Sequence, residues 1–209
     1  MQTIRVLLGS VMMVAVLTGN AVGQDTLTPT ETVKGTITAV MNILNDPVFQ
    51  QPGMFDARRA ALEKVVRSSV SYREMARRAL GITWLVLNES ERDHFSNLFV
   101  QVLRDAVASR MNAYSKTYVL YLSEQREGNF AEVRTLFRGD KDDTAVNVRL
   151  VNQSGQWLMY DAVIDGVRLV DNYRSQFVHV MRDAAYLGLV GRLEAMTLLP
   201  KTFERSVTP

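Results

Sequence analysis

Few residues in this 209-residue chain are equipped for chemistry. It holds two histidines, His94 and His179, and no cysteine. Both histidines fall inside stretches with helical apolar spacing. Neither has a second histidine four residues away, so no zinc-type ligand pair forms, and both read as exposed or locally bonded side chains. Asp140, Asp142 and Asp143 crowd one turn. The glycine and terminal glutamate of a calcium loop are missing, and the turn reads as a solvated hairpin. No Gly-x-Ser-x-Gly elbow, phosphate loop or dinucleotide fingerprint occurs. One carboxylate stands out: Asp161 interrupts an apolar run from Trp157 to Ile164. A buried carboxylate is costly unless bonded or neutralised. Strand alternation puts Tyr160 and Asp161 on opposite faces, so they do not converge on one substrate. Asp161 is expected to pin a helix end or an arginine.

The element that carries Asp161 is the centre of the pattern. Residues 156–164 read as a strand apolar on both faces, which wants cover on both sides. Asp165-Gly166 turns the chain. From Leu169, apolar residues recur at Val170, Tyr173, Phe177, Val180 and Met181 with helical spacing, and Val190, Leu193 and Met196 continue a final helix before Pro200. Upstream, residues 116–122, Ala131 to Phe137 and Val146 to Leu150 show the period of two that marks strands. Turn signals at 127–129, 139–143 and 152–155 separate them. Short loops favour antiparallel neighbours.

The first half is helical. Thr28-Pro-Thr-Glu31 is a capping box with proline at the first helical position, and Asp46-Pro47 ends that helix. Asp56 is an N-cap candidate for a helix carrying Leu62, Val65 and Val66. Ser71 to Glu74 is a second capping-box candidate, for a helix closed by Gly81. Asn88 to Glu91 caps the longest helix, where Phe95, Leu98, Phe99, Val102, Leu103, Ala106 and Val107 alternate steps of three and four. The expected fold is α+β: a curved four-stranded antiparallel sheet covered by N- and C-terminal helices.

Residues 1–23 read as a cleaved secretory signal, with Arg5, an apolar stretch from Val6 to Leu17 and a small-residue Ala21-Val22-Gly23 site. The apolar run falls short of the roughly 20 residues a membrane span needs. Residues 24–209 read as a single domain. Since Arg5 is the only charge in the leader, this domain carries 23 basic and 22 acidic residues. That balance, with no basic block, argues against a nucleic-acid partner.

The Gly155-Gln-Trp157 strand start with Asp161, the Gly166-Val-Arg-Leu169 turn and Asn172-Tyr-Arg-Ser-Gln-Phe177 resemble the MlaC family. Tyr72-Arg-Glu-Met-Ala-Arg-Arg-Ala-Leu-Gly81 followed by Trp84 is a second match. Arg168 stands where the family pattern usually has serine. Together the resemblance covers residues 30–200. It implies an NTF2-like, MlaC-type fold that carries glycerophospholipid as cargo in the periplasm, with no cofactor and no enzymatic activity of its own. It also implies a monomer that exchanges lipid with an outer-membrane lipoprotein complex and an inner-membrane ABC transporter bearing an MCE-domain partner. Two alternatives remain open: an NTF2-like isomerase or dehydratase, which needs a converging acid and base, and a carrier of another lipid such as a hopanoid.

Strand parity proposes inward positions Val133, Phe137, Val146, Val148, Leu150, Trp157, Met159 and Val163. The long helix offers Phe99, Leu103 and Val107, and the last helix Tyr173 and Phe177. From the residues alone these fill a core, because protein interiors are close-packed. The resemblance implies instead that the space between sheet and helices stays open for acyl tails. Each methylene kept from water is worth about 0.8 kcal/mol, so shielding two ordinary chains gains on the order of 20 kcal/mol.

Overall fold

The structure, a computed structural model, describes residues 27–111, 118–139 and 142–198. The leader, Asp140 and Pro200 lie outside these residues. The helices begin with α1 (Pro29–Asn45), α2 (Phe55–Ser69), α3 (Tyr72–Leu80), α4 (Thr83–Val86) and α5 (Glu89–Met111). Local chemistry sets most of their ends. The Thr28 hydroxyl accepts from Glu31 N at 3.1 Å while Glu31 Oε2 accepts from Thr28 N at 2.7 Å, a reciprocal box that satisfies two orphan donors. Asn88 and Glu91 do the same for α5, at 3.0 and 2.8 Å. Gly81 closes α3 at φ 59, where a side chain would be strained.

Two expected caps are corrected. Helix α2 starts at Phe55, one residue before Asp56, and its N-cap Met54 makes no side-chain cap bond. Ser71 does not cap α3. Its hydroxyl accepts from Gln153 Nε2 at 3.0 Å, and Glu74 turns instead to Arg77 and Arg78 at 2.7 Å.

The sheet has five antiparallel strands in chain order: β1 (Tyr118–Glu127), β2 (Phe130–Arg138), β3 (Asp143–Gln153), β4 (Gln156–Ile164) and β5 (Val167–Arg168). Four were expected. The extra one arises because Asp165-Gly166, at φ 47 and 83, forms a two-residue hairpin turn whose twist matches paired strands. Val163 and Ile164 therefore pair with Arg168 and Val167 before the helix starts. The last helix, α6 (Leu169–Leu198), is interrupted at Ala185, which sits at φ 54.

Register divides the sheet into two faces. Ala131, Val133, Thr135 and Phe137 face the same way as Leu150, Val148, Val146 and Thr144. Trp157 and Met159, opposite Asn152 and Leu150, share that face. Val33 and Ile37 of α1 pack on it. The chain then crosses the β4 edge at Val70-Ser71, where Ser71 N donates to Met159 O at 2.8 Å. Helix α3 and the start of α6 lie on the opposite face, against Tyr160 and Val151. The strand apolar on both faces is thus covered on both.

Candidate functional site

The apolar face beneath α1 brings together seven of the sheet positions expected from the sequence. Val133, Val148, Leu150 and Trp157 are buried with Val33, while Val146 and Met159 pack against them half-buried. Phe137, 7% exposed, continues the same face through its pairing with Thr144 and Val119. Helix α1 covers only part of this surface. Val119, Tyr121, Val146, Ala162 and Ile164 are only half-buried. Their surroundings are apolar enough that burial pushes the Tyr121 phenol up from its ordinary range.

Val163 is corrected. Arg149 pairs with Asp161 and Leu150 with Met159, so Tyr160 is an inserted residue, a β-bulge. The bulge inverts parity beyond it. Val163, opposite Asn147, falls on the other face, and Ala162 and Ile164 take the α1 side.

Helix positions Phe99, Leu103, Tyr173 and Phe177 are brought together, but not with the sheet set. They belong to a packed cluster of α3, α4, α5 and α6. Phe99 meets Tyr173 at 5.1 Å and Phe177 at 5.5 Å, both edge-on, and Phe95 meets Phe177 at 5.6 Å. This is filled interior, with the offset and edge geometry that aromatic quadrupoles favour. Val107 is on α5, its side chain outside the described residues. Sheet and α5–α6 positions therefore belong to two separate apolar clusters.

Asp161 performs the expected structural role twice over. It is 3% exposed, accepts from Val170 N at 3.1 Å at the start of α6, and accepts from Arg168 Nε and NH2 at 3.3 and 3.2 Å. The departure from the family pattern at Arg168 is thus a counter-ion for this carboxylate. The bulge also overturns the parity argument about its neighbour. Tyr160 and Asp161 lie on the same face, opposite Met159. They still form no acid/base pair: the Asp161 oxygens are taken up by these donors and by Ala162 N at 2.9 Å, and the Tyr160 ring lies under the Arg78 guanidinium at 4.2 Å. Of the histidines, His94 meets Glu194 at 3.1 Å on the surface and His179 is exposed. Among the described residues no group of three His, Cys, Asp or Glu is placed to hold a metal.

A cleft of about 660 Å³ adjoins the α1 face. Trp157 forms one wall, Val65 and Ser68 of α2 another, and Thr32, Gly35, Thr36 and Ala39 of α1 a third. Sequence reasoning missed this wall, although the small residues recur at the three- and four-residue spacing of one helix face. At Gly35 a β-carbon would meet nothing within 4 Å. Helix α1 is latched to β1 by Glu124, whose Oε2 accepts from Thr30 N at 2.8 Å and Thr30 Oγ1 at 2.6 Å. Burial pushes the Glu124 carboxyl up, but the Thr30 bonds and Arg126 outweigh it and hold it below the ordinary range. A second cleft, of about 490 Å³, lies across the sheet between α3 and α6 and is lined by four arginines.

An open antiparallel sheet with helices on both faces and an incompletely covered apolar side defines an α+β binding fold. The chain belongs to the MlaC family: the model of the MlaC protein matches residues 34–195. Among solved structures, it is similar to the phospholipid-binding protein of Ralstonia solanacearum, determined in complex with a phospholipid. The TM-score is 0.70 at 19% identity, covering 79% of this chain and 94% of that one, a likeness of fold. No curated protein matches this sequence. No helix among the described residues is long and apolar enough to cross a membrane.

Proposed function

We propose that this chain is a periplasmic phospholipid carrier. Acyl tails lie along the sheet face beneath α1, against Val133, Phe137, Val146, Val148, Leu150, Trp157 and Met159. They reach it through the cleft between α1 and α2. The observation that carries this reading is the incompletely covered apolar surface beyond α1 in a member of the MlaC family. Isolated exposed aliphatics are ordinary, but a contiguous, incompletely covered apolar face marks a ligand or partner site, and Trp157 joins this face to the cleft. At about 660 Å³ the cleft is of ligand-site size.

The valine, leucine and phenylalanine positions of this face offer no hydrogen bonds, so selection among tails along them is by volume and apolarity. The near balance of basic and acidic residues suits transient meetings with an outer-membrane lipoprotein complex and an inner-membrane transporter. The aromatic cluster at Phe99, Tyr173 and Phe177 serves as the rigid backing that holds α5 and α6 in place. As a carrier the chain works without a cofactor and as a monomer, and the leader at 1–23 directs its export.

The test is solvent extraction of protein purified without detergent, followed by mass spectrometry of the extract. Wild type is expected to yield phospholipid near one per chain. Gly35→Phe, which fills the cleft where no atom stands within 4 Å, is expected to lose most of it while staying folded. Equal phospholipid in both proteins contradicts the proposed site, and none in wild type contradicts the carrier reading.

A further inference from the structure

We propose that the turn joining α3 to α5 is a docking surface for a phospholipid bilayer bearing anionic head groups. This rests on the carrier reading above and adds the surface through which the carrier meets its donor or acceptor membrane. Ile82, Leu85 and Val86 are 78, 71 and 80% exposed. At spacing i, i+3 and i+4 they share one side of the turn. Trp84 and Leu87, 5 and 7% exposed, anchor the other side in the core. Arg92 Nε donates to Trp84 O at 3.1 Å, and the Arg73 and Arg92 guanidiniums lie over the indole at 5.7 and 5.5 Å. The tip is thus an apolar projection on an anchored turn.

Directly behind the tip is the second cleft. Ile82 and Leu85 line it together with Arg77, Arg78, Arg168 and Arg174. Glu74 engages Arg77 and Arg78, Asp161 and Asp171 engage Arg168, and four guanidiniums against three carboxylates leave one positive charge. Among the described residues Arg174 makes no hydrogen bond or ion pair. Its guanidinium rests against Gly81, where a β-carbon would come within 2.9 Å of its NH2. The missing side chain of Gly81 therefore leaves room for this cation at the cleft.

Aliphatic side chains standing clear, with a cation immediately behind them, match the head-group boundary. There phosphates border hydrocarbon within roughly 5–10 Å of depth. A protein partner with a greasy socket ringed by carboxylates has similar charge. The three side chains nevertheless project as a tip, whereas protein–protein contacts favour broad surfaces of standard size, and the bilayer is the better fit.

The experiment uses the full mature chain with Leu85→Cys, labelled with a polarity-sensitive dye at what is then its one thiol. The probe is vesicles of phosphatidylglycerol and phosphatidylcholine in equal parts. A blue shift is expected with these vesicles at about 0.02 M salt, weakened at about 0.2 M. Co-sedimentation of otherwise wild-type protein is expected to fall about ten-fold with Arg174→Glu and again with Ile82→Ser plus Leu85→Ser. All altered side chains are exposed, and circular dichroism confirms folding. No vesicle binding by wild type, or equal binding by all variants, overturns the proposal. So does a dye shift produced by an acidic polypeptide and not by vesicles. Cargo is measured in parallel: phospholipid that co-purifies without vesicle binding sinks the docking surface alone. Vesicle binding with no cargo sinks the carrier reading instead.

Discussion

At the scale of single residues, Asp161 ties the sheet to the last helix. Its carboxylate bonds the start of α6 and the Arg168 guanidinium. Asp161→Ala strips a bonded anion from a buried position and leaves Arg168 with Asp171 alone. Because Arg168 is partly exposed, the loss is smaller than for a fully buried pair. Unfolding in urea is expected to show about 2–3 kcal/mol of destabilisation. Asp161→Asn, which keeps one acceptor for Val170 N, is expected to cost less. Equal stability of Asp161→Ala and wild type contradicts the assignment. The role of this residue was legible in the sequence, since a lone carboxylate in an apolar strand must be bonded. The direction of Tyr160 was not. A bulge leaves no mark on hydrophobic alternation, so simple strand parity puts Val163 on the wrong face.

Elements show where local chemistry decides and where packing does. The capping boxes at Thr28 and Asn88 formed as their spacing implied. The one at Ser71 did not, because Gln153 and the two arginines of α3 offered its members better partners. Along α1, Gly35 faces open space. Gly35→Ala is expected to raise stability by up to about 1 kcal/mol through backbone entropy alone, read as a higher unfolding midpoint. At Gly188 the same change is expected to destabilise, since its β-carbon would stand 2.2 Å from that of Ala184 beside the kink at Ala185. The seam between α2 and α5 is charged: Arg59 meets Asp105 at 2.8 Å, and Arg104 bridges Glu63 and Asp105. Burial pushes the Glu63 carboxyl up, but Arg67 and Arg104 outweigh it and leave it below its ordinary range. A depressed folded value means stability that is present above the unfolded pKa, about 4.3, and lost as pH falls through the folded one. Thermal unfolding midpoints are expected to drop below about pH 4, and Glu63→Gln is expected to flatten that drop. An unchanged slope in Glu63→Gln contradicts the role given to the seam.

Over the whole molecule, one crossing of the β4 edge sorts the helices. Helix α1, before Val70, lies on the apolar sheet face with α2 packed beside it, and the helices after Ser71 build the aromatic cluster on the opposite face. Periodicity reveals the main element types and their order, and seven of the eight expected sheet positions share one face, Val163 being the exception. Periodicity carries no information about which face a helix takes, and Phe99, Leu103, Tyr173 and Phe177 pack on the face of the sheet opposite to the seven strand positions. The small-residue wall of α1 escaped notice because open space is made by what side chains lack.

Native mass spectrometry of the mature protein, purified without detergent, tests the account most directly. A monomer is expected whose mass exceeds that of the chain by one phospholipid, with the excess lost on Gly35→Phe. A homogeneous, folded protein at the bare chain mass, which takes up no phospholipid from vesicles, would contradict it.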